Sequence, residues 1–272
     1  MPVPTRTLTG GVEIPVLGLG VYQSAPGSTT RDAVLAALDA GYRHIDTAAA
    51  YRNESDVGEA IRRSGVSRDE VFVTTKLWNS NHGYDPALRA FDRSLNRLGF
   101  EYVDLYLVHW PVPGKRLDTW RAMERILAEG RARAIGVSNY MPRHIDELMA
   151  HATIAPGVNQ FELSPYLARR NLVEMCRELG IVVEAYSPLT KGLKLRDRAL
   201  VEIGRRYGKS PAQILIRWAL EHRFVVIPKS VRPRRIRENI DVFDFSLAAY
   251  DLASLDALDE GLVTGWDPTD AP

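Results

Sequence analysis

Eight short strand-like runs, each followed by a segment of helical period, narrow the fold of this 272-residue chain more than any other feature. The runs are VLGLGVY (16–22), RHIDTA (43–48), EVFVTTKL (70–77), YVDLYLVHW (102–110), RAIGVSN (133–139), GVNQFEL (157–163), IVVEAYSPL (181–189) and FVVIPKS (224–230). They are apolar or β-branched without clean alternation, the pattern of parallel strands buried on both faces. Between them, ALRAFDRSLNRLGF sets Leu88, Phe91, Leu95 and Leu98 on one helical face. Gly41, Gly65, Gly99, Gly130 and Gly180 stand where helices end and a left-handed residue is needed. Ser67 before RDE and Ser210-Pro211 before AQILIRWAL mark helix starts. With no linker and no shift of composition, the alternation predicts one α/β domain over 1–272, a single (β/α)8 TIM barrel. TRTLTGGVEIPV, with Gly-Gly between alternating runs, reads as an N-terminal β-hairpin closing the barrel's bottom. An open doubly wound sheet is the competitor, and GLGVYQ tests it. Gly18 and Gly20 could open a dinucleotide fingerprint, but Gln23 holds the third position and the run lies within a strand, so the fingerprint fails.

Composition limits the partners. A net charge of +1 with 45% apolar and 25% charged residues is ordinary for a soluble protein and gives no reason to expect a nucleic acid or an acidic membrane. No apolar run approaches the ~20 residues of a membrane-spanning helix, and MPVPTRTLTGG lacks the regions of a signal peptide. The one cysteine, Cys176 in LVEMCRELG, reads as a small buried hydrophobe, and a reducing cytoplasm is the expected location. Lysines number 6 against 29 arginines, so a lysine inside an apolar run stands out.

In a barrel of this kind chemistry sits at the C-terminal ends of the strands. Those positions hold Asp46, Lys76, His109, Ser138-Asn139, Gln160, Tyr186-Ser187 and Lys229-Ser230. A capping role would explain Asp46 alone, and a satisfied core histidine would explain His109 alone; a run of polar strand ends at one height is not a packed interior. Lysine is rarely buried without a partner, so Lys76 in VFVTTKL predicts an ion pair with Asp46 one strand over. A buried ion pair is a poor source of stability, which points to another purpose. Tyr51 follows Asp46 by five residues. A free phenol has a pKa near ~10, and an ammonium about 4 Å away supplies on the order of 4 kcal/mol at an effective dielectric near ~20. That is enough to lower the phenol by two to three units, at about 1.4 kcal/mol each. The expectation is that Asp46 holds the charge on Lys76, Lys76 makes Tyr51 an acid, and His109 donates to a substrate carbonyl oxygen.

These stretches resemble the aldo-keto reductase superfamily: GYRHIDTAAAYRNE, VTTKLWN, DLYLVHWP, IGVSN, VNQFELSPY, EAYSPL and IPKSVRPRRIREN occur in the family's order over residues 12–240. SNHGYDPALRAFDRSLNRLGFEYVDLY and ENIDVFDF are most similar to its bacterial 2,5-diketo-D-gluconate reductase and methylglyoxal reductase branch. The resemblance implies NADPH held without a Rossmann fold and hydride transfer to an aldehyde or ketone. Tyr51 resembles the general acid, Asp46 and Lys76 its activators, and His109 the orienting residue. Ser138, Asn139 and Gln160 match the residues that hold the nicotinamide carboxamide, and Tyr186 the ring that stacks on the nicotinamide. Ser187 and Leu189 match the loop along the pyrophosphate. Lys229, Ser230 and Arg235 match the clamp on the 2′-phosphate, and Glu238 and Asn239 the adenine contacts. KSVRPRRIREN supplies charge-assisted donors beside a helix start, as a phosphate dianion requires.

Tyr22, Trp78 and Trp110 flank these motifs and are expected to line the substrate pocket. The family usually has histidine where Ser164 stands in ELSPY. Short loops after strands four and seven predict an open site with a broad carbonyl range, and Trp266 in the turn-rich tail is placed to fold over it. A small-molecule substrate and a monomer are expected. Two rivals remain: a nucleotide-sensing module of the same fold, which would not need the Asp46–Tyr51–Lys76–His109 set, and a metal-dependent barrel hydrolase. The hydrolase would need clustered ligands at strand ends, where only His109 of the six histidines stands.

Overall fold

The computed structural model describes residues 3–271; Met1, Pro2 and Pro272, which the domain range 1–272 includes, lie outside the described residues. The chain opens with β1 (Thr5–Thr7) antiparallel to β2 (Glu13–Pro15), the hairpin that TLTGG predicts. There follow β3 (Leu19–Gly20), α1 (Ser28–Asp39), β4 (His44–Asp46), α2 (Glu54–Arg63), β5 (Phe72–Leu77), α3 (Tyr84–Leu98), β6 (Val103–Val108) and α4 (Arg116–Ala128). The second half runs through β7 (Ala132–Ser138), α5 (Pro142–Met149), β8 (Val158–Glu162), α6 (Arg170–Glu178), β9 (Val182–Tyr186), α7 (Arg198–Tyr207) and α8 (Pro211–Glu221). It ends with β10 (Val225–Val226), α9 (Pro233–Ile240) and α10 (Ala249–Asp256). Strands β3 to β10 lie side by side in chain order, all parallel. The sheet curls until its ends meet: Gly18 N donates to Val226 O at 2.9 Å, Val226 N to Val16 O at 2.9 Å, and Gly20 N to Pro228 O at 3.2 Å. The eight runs read from the sequence are the eight staves of this barrel.

Two expectations need correction. The runs at 16–22 and 224–230 keep only two residues each in regular ladder, because single bridges, Leu17 to Val226 and Gly20 to Lys229, make the closure. Ser67 closes its capping box with Glu70 around a single 3-10 turn, Arg68–Glu70, since Val71 already returns to extended backbone on its way into β5. Ser210 does cap a full helix, accepting from Gln213 N in a reciprocal box with Pro211 at the first turn. Of the α3 stripe, Phe91, Leu95 and Leu98 are buried and Leu88 packs at its edge. Gly99 then ends the helix at φ 69°.

The inside of the barrel explains why the site lies at one end. The hairpin residues Leu8 and Ile14 are buried against Phe72, Leu105, Val158, Val182 and Val225, which plugs the end where the strands begin. Alternate residues of a strand share a face, so from Phe72 the inward positions climb to Thr74 and Lys76. From Val158 they climb to Gln160, and from Val182 to Glu184 and Tyr186. The apolar plug thus gives way to a polar layer and an open rim.

Candidate active site

A cavity of about 1230 Å³ opens at that rim, and every sequence-predicted site residue except Lys76 lines it. Lys76 lies just beneath, fully buried, with Asp46 only 2% exposed. Its Nζ donates to Asp46 Oδ1 at 2.6 Å and Oδ2 at 2.7 Å, to Thr47 O at 2.9 Å and to Tyr51 OH at 3.4 Å. Tyr51 closes a single 3-10 turn, Ala49–Tyr51, that follows β4 and ends on Arg52 in the left-handed region. Asn53 ties this turn down. Its Nδ2 donates to Val21 O at 3.0 Å and Ser24 O at 3.3 Å, while Thr47 Oγ1 donates to its Oδ1 at 2.8 Å. Chain entry and exit around the phenol are therefore fixed to the end of β3, which the sequence motif alone does not reveal.

The electrostatics correct one expectation. Burial, and after it the charge of Asp46, hold the Tyr51 phenol well above its ordinary value; Tyr22 and Glu184 push the same way. Lys76 stands close enough to lower it, but Asp46 lies nearer to the ammonium than the phenol does and offsets most of its field. Desolvation wins, and Tyr51 is a protonated phenol throughout the neutral range. His109 is neutral too, because burial and then Lys76 and His82 hold it well below the ordinary imidazole value. Its ring meets Tyr51 edge-on at 5.6 Å and Trp78 at 5.3 Å. Tyr22 lies 5.1 Å from Tyr51, and Trp266 of the tail packs edge-on against Trp110 at 4.6 Å, so four aromatic side chains surround the mouth.

On the opposite wall, Asn139 follows β7 at φ 63°, a backbone held against its preference, as happens at functional sites. Its Nδ2 donates to His109 O at 3.1 Å and Ser138 Oγ at 3.0 Å, and its Oδ1 accepts from Tyr186 OH at 2.8 Å. Ser138 Oγ donates to Gln160 O at 2.8 Å. Gln160 directs both amide hydrogens to carboxyl groups, Asp46 Oδ2 at 2.9 Å and Glu184 Oε2 at 2.8 Å, which leaves its Oε1 as an acceptor. Ser187 and Leu189 continue along the cavity; Ser187, Thr190 and Lys191 all have positive φ.

The far end of the cavity is basic. Lys229, Arg232, Arg234 and Arg235 line it, and none of the four has a carboxylate partner among the described residues. Ser230 lies beside them, and Pro233 starts α9 with no acidic residue in its first turn. Glu238 and Asn239 close this end, Asn239 buried. Unpaired cations around an open helix start are the donor set a phosphate dianion needs. Arg232 and Arg234 are not among the residues read from the sequence, although the run RPRRIREN contains the signal.

The tail reaches the mouth by a strap. Thr264 N donates to Glu162 Oε1 at 3.0 Å, Lys191 Nζ donates to Thr264 O at 2.7 Å, and Arg169 pairs with Asp267 at 3.1 Å. The site is thus less open than the short loops suggest, although Trp266 remains 58% exposed. Ser164 is buried outside the cavity lining and accepts from Tyr166 N at 3.3 Å. Among the described residues no group of three or more His, Cys, Asp or Glu could hold a metal ion, and no helix is long and apolar enough to cross a membrane. Burial pushes the Cys176 thiol up to about 11.

A parallel barrel with an acid, an ammonium and an imidazole converging at its strand ends is the architecture of a barrel-fold oxidoreductase. The family model for the aldo/keto reductase family matches residues 16–260, and the chain belongs to that family. It is 47% identical over 264 residues to the glyoxal reductase of Bacillus subtilis (strain 168), covering 97% of this chain and 96% of that protein. It is 48% identical over 282 residues to the morphine 6-dehydrogenase of Pseudomonas putida, covering 98% and 95%. A Bombyx mori aldo-keto reductase solved in complex with NADP superimposes with a TM-score of 0.91 at 37% identity, over 97% of this chain and 95% of that one.

Proposed function

We propose that this chain is an NADPH-dependent reductase of aldehydes and ketones in which Tyr51 is the general acid. When bound, NADPH supplies the hydride. Lys229, Ser230 and Arg235 would hold its 2′-phosphate, Glu238 and Asn239 its adenine, and Ser187 and Leu189 its pyrophosphate. Ser138, Asn139 and Gln160 would hold the carboxamide, with Gln160 Oε1 free to accept, and Tyr186 would lie against the nicotinamide. The unpaired cations at the α9 end are what this assignment rests on.

The observation that carries the role of Tyr51 is the polarity of its hydrogen bond. Its oxygen accepts from Lys76, which leaves its own O–H as a donor to an oxygen entering the cavity beside His109. A carbonyl oxygen that takes up negative charge approaches an alkoxide, about as basic as hydroxide, whose conjugate acid has a pKa of about 15.7. A phenol well above ~10 still gives that oxygen a proton downhill, so the raised value keeps the acid loaded without disabling it. Lys76 then stabilises the phenolate left behind. His109, neutral and facing Tyr51 across the cavity, is the donor that orients the carbonyl.

Glyoxal reductase and morphine 6-dehydrogenase are about equally identical to this chain, so identity does not select a substrate. The aromatic mouth of Tyr22, Trp78, Trp110 and Trp266 suits a range of small carbonyl compounds. A single domain, acting as a cytoplasmic monomer, completes the proposal. The test follows NADPH absorbance with methylglyoxal, a diketo sugar and an aromatic aldehyde. Turnover of at least one supports the reductase; tight NADPH binding with no turnover on a wide panel would favour the nucleotide-sensing module instead.

A further inference from the structure

Beneath the site lies a carboxylic acid that the mechanism above does not use. Glu184 is fully buried on β9, two residues below Tyr186 on the same inward face. Its Oε2 accepts one hydrogen of the Gln160 amide at 2.8 Å, and the other hydrogen of that amide goes to Asp46 Oδ2 at 2.9 Å. Its Oε1 is buried with no hydrogen-bond partner. Gln160 therefore bridges two carboxyl groups, and one of them is the partner of Lys76.

The groups facing Glu184 come from several elements. From β4 come Asp46 and His44, whose Nε2 lies 3.6 Å from Glu184 Oε1 and 3.1 Å from Thr74 Oγ1. Lys76 comes from β5, Tyr51 from the turn after β4, and β10 sets the apolar Val225 opposite Glu184 in register. His44 is no counter-ion, since burial lowers it to about 3. One ammonium thus faces two carboxyl groups, and its hydrogens already go to Asp46, Thr47 O and Tyr51. A second buried carboxylate without a cation is costly, and such a group takes up a proton instead. Burial and then the charge of Asp46 push Glu184 up to about 8.

We propose that Glu184 is a titrating positioning residue of the reductase: neutral, it leaves Asp46 as the one negative charge beside Lys76; ionised, it strengthens its hold on the Gln160 amide hydrogen it already accepts and sets a second negative charge beneath Tyr51. The proposal rests on Tyr51 being the acid. On losing its proton to solvent, Glu184 makes the phenol a weaker donor, and carbonyl reduction slows on the alkaline side.

The test is the pH profile of kcat/KM for a turned-over carbonyl, from pH 6 to 9.5, in wild type and Glu184→Gln, which keeps the shape and cannot ionise. Wild type is expected to step down about tenfold around an apparent pKa near 8, and Glu184→Gln to lose that step. Superimposable profiles would overturn the role of Glu184 and leave the reductase standing; a wild type inactive on every carbonyl would overturn the reductase instead. Infrared spectra of wild type with 13C-carboxyl glutamate decide the matter should the variant not fold. A protonated glutamate band at pH 6.5 that vanishes near pH 8 supports the proposal, and absence of that band at pH 6.5 overturns it.

Discussion

At the scale of single residues the site is a contest between desolvation and charge. Reading the sequence locates Asp46, Tyr51, Lys76 and His109, because polar groups at the ends of apolar strands are conspicuous. It misjudges the phenol, since the field of Lys76 on Tyr51 depends on how tightly Asp46 is paired with it, and that pairing is a distance rather than a motif. Glu184 is invisible to such a reading for a similar reason. A lone carboxylate in IVVEAY is unremarkable until Gln160, 24 residues earlier, is seen to bridge it to Asp46. The basic end makes a prediction at this scale. Replacing Arg235 by alanine removes a charge-assisted contact worth about 1.5–3 kcal/mol, which is about 10- to 100-fold in affinity. Fluorescence titration should show NADPH binding weakened by that factor and NADH binding nearly unchanged; equal weakening of both would remove the 2′-phosphate from the assignment.

Among elements, packing decides against local preference. Gly58 sits in the middle of α2, where glycine costs about 0.5–1 kcal/mol relative to alanine. A Cβ there would stand 1.8 Å from Leu98 O at the end of α3, so the helices touch backbone to backbone. Arg62 Nη1 donates to the same carbonyl at 2.6 Å. Overpacking of about 1–3 kcal/mol outweighs the propensity gain, and Gly58→Ala should lower the urea midpoint at unchanged slope, with kcat/KM preserved. A midpoint that rises would mean the helices stand further apart. Helix ends are legible in the sequence because glycine announces them, and the hairpin is legible from its Gly-Gly turn. The lengths of β3 and β10 are not, because a run of apolar residues does not say whether its neighbour offers a full ladder or one bridge.

For the whole molecule, repetition makes the barrel readable: eight apolar runs at similar spacing leave few architectures, and the failed glycine fingerprint removes the main rival. The strap from Glu162 and Lys191 to the tail is beyond such reading, since it joins residues 102 and 73 positions apart with no shared pattern. The buried acid and imidazole give the molecule a pH dependence of stability whose sign can be worked out. Glu184 is raised from 4.5 to about 8, so the folded state holds the extra proton and stability falls as pH rises through that window. His44 is lowered from 6.5 to about 3, so the unfolded state holds the extra proton and stability rises with pH through its window. The slopes oppose one another between 4.5 and 6.5, leaving an alkaline arm of about 2 kcal/mol from pH 6.5 to 8. Urea melts should show that arm in wild type and lose it in Glu184→Gln; an arm of equal size in both would assign it to another group.

The central claim is that Tyr51 donates the proton, and Tyr51→Phe tests it most directly. With a carbonyl that wild type reduces, kcat at pH 7 should fall by about 10²- to 10⁴-fold while the NADPH dissociation constant stays within about twofold, because the hydroxyl is all that is lost. Turnover surviving near the wild-type rate with NADPH bound would mean that another group is the acid.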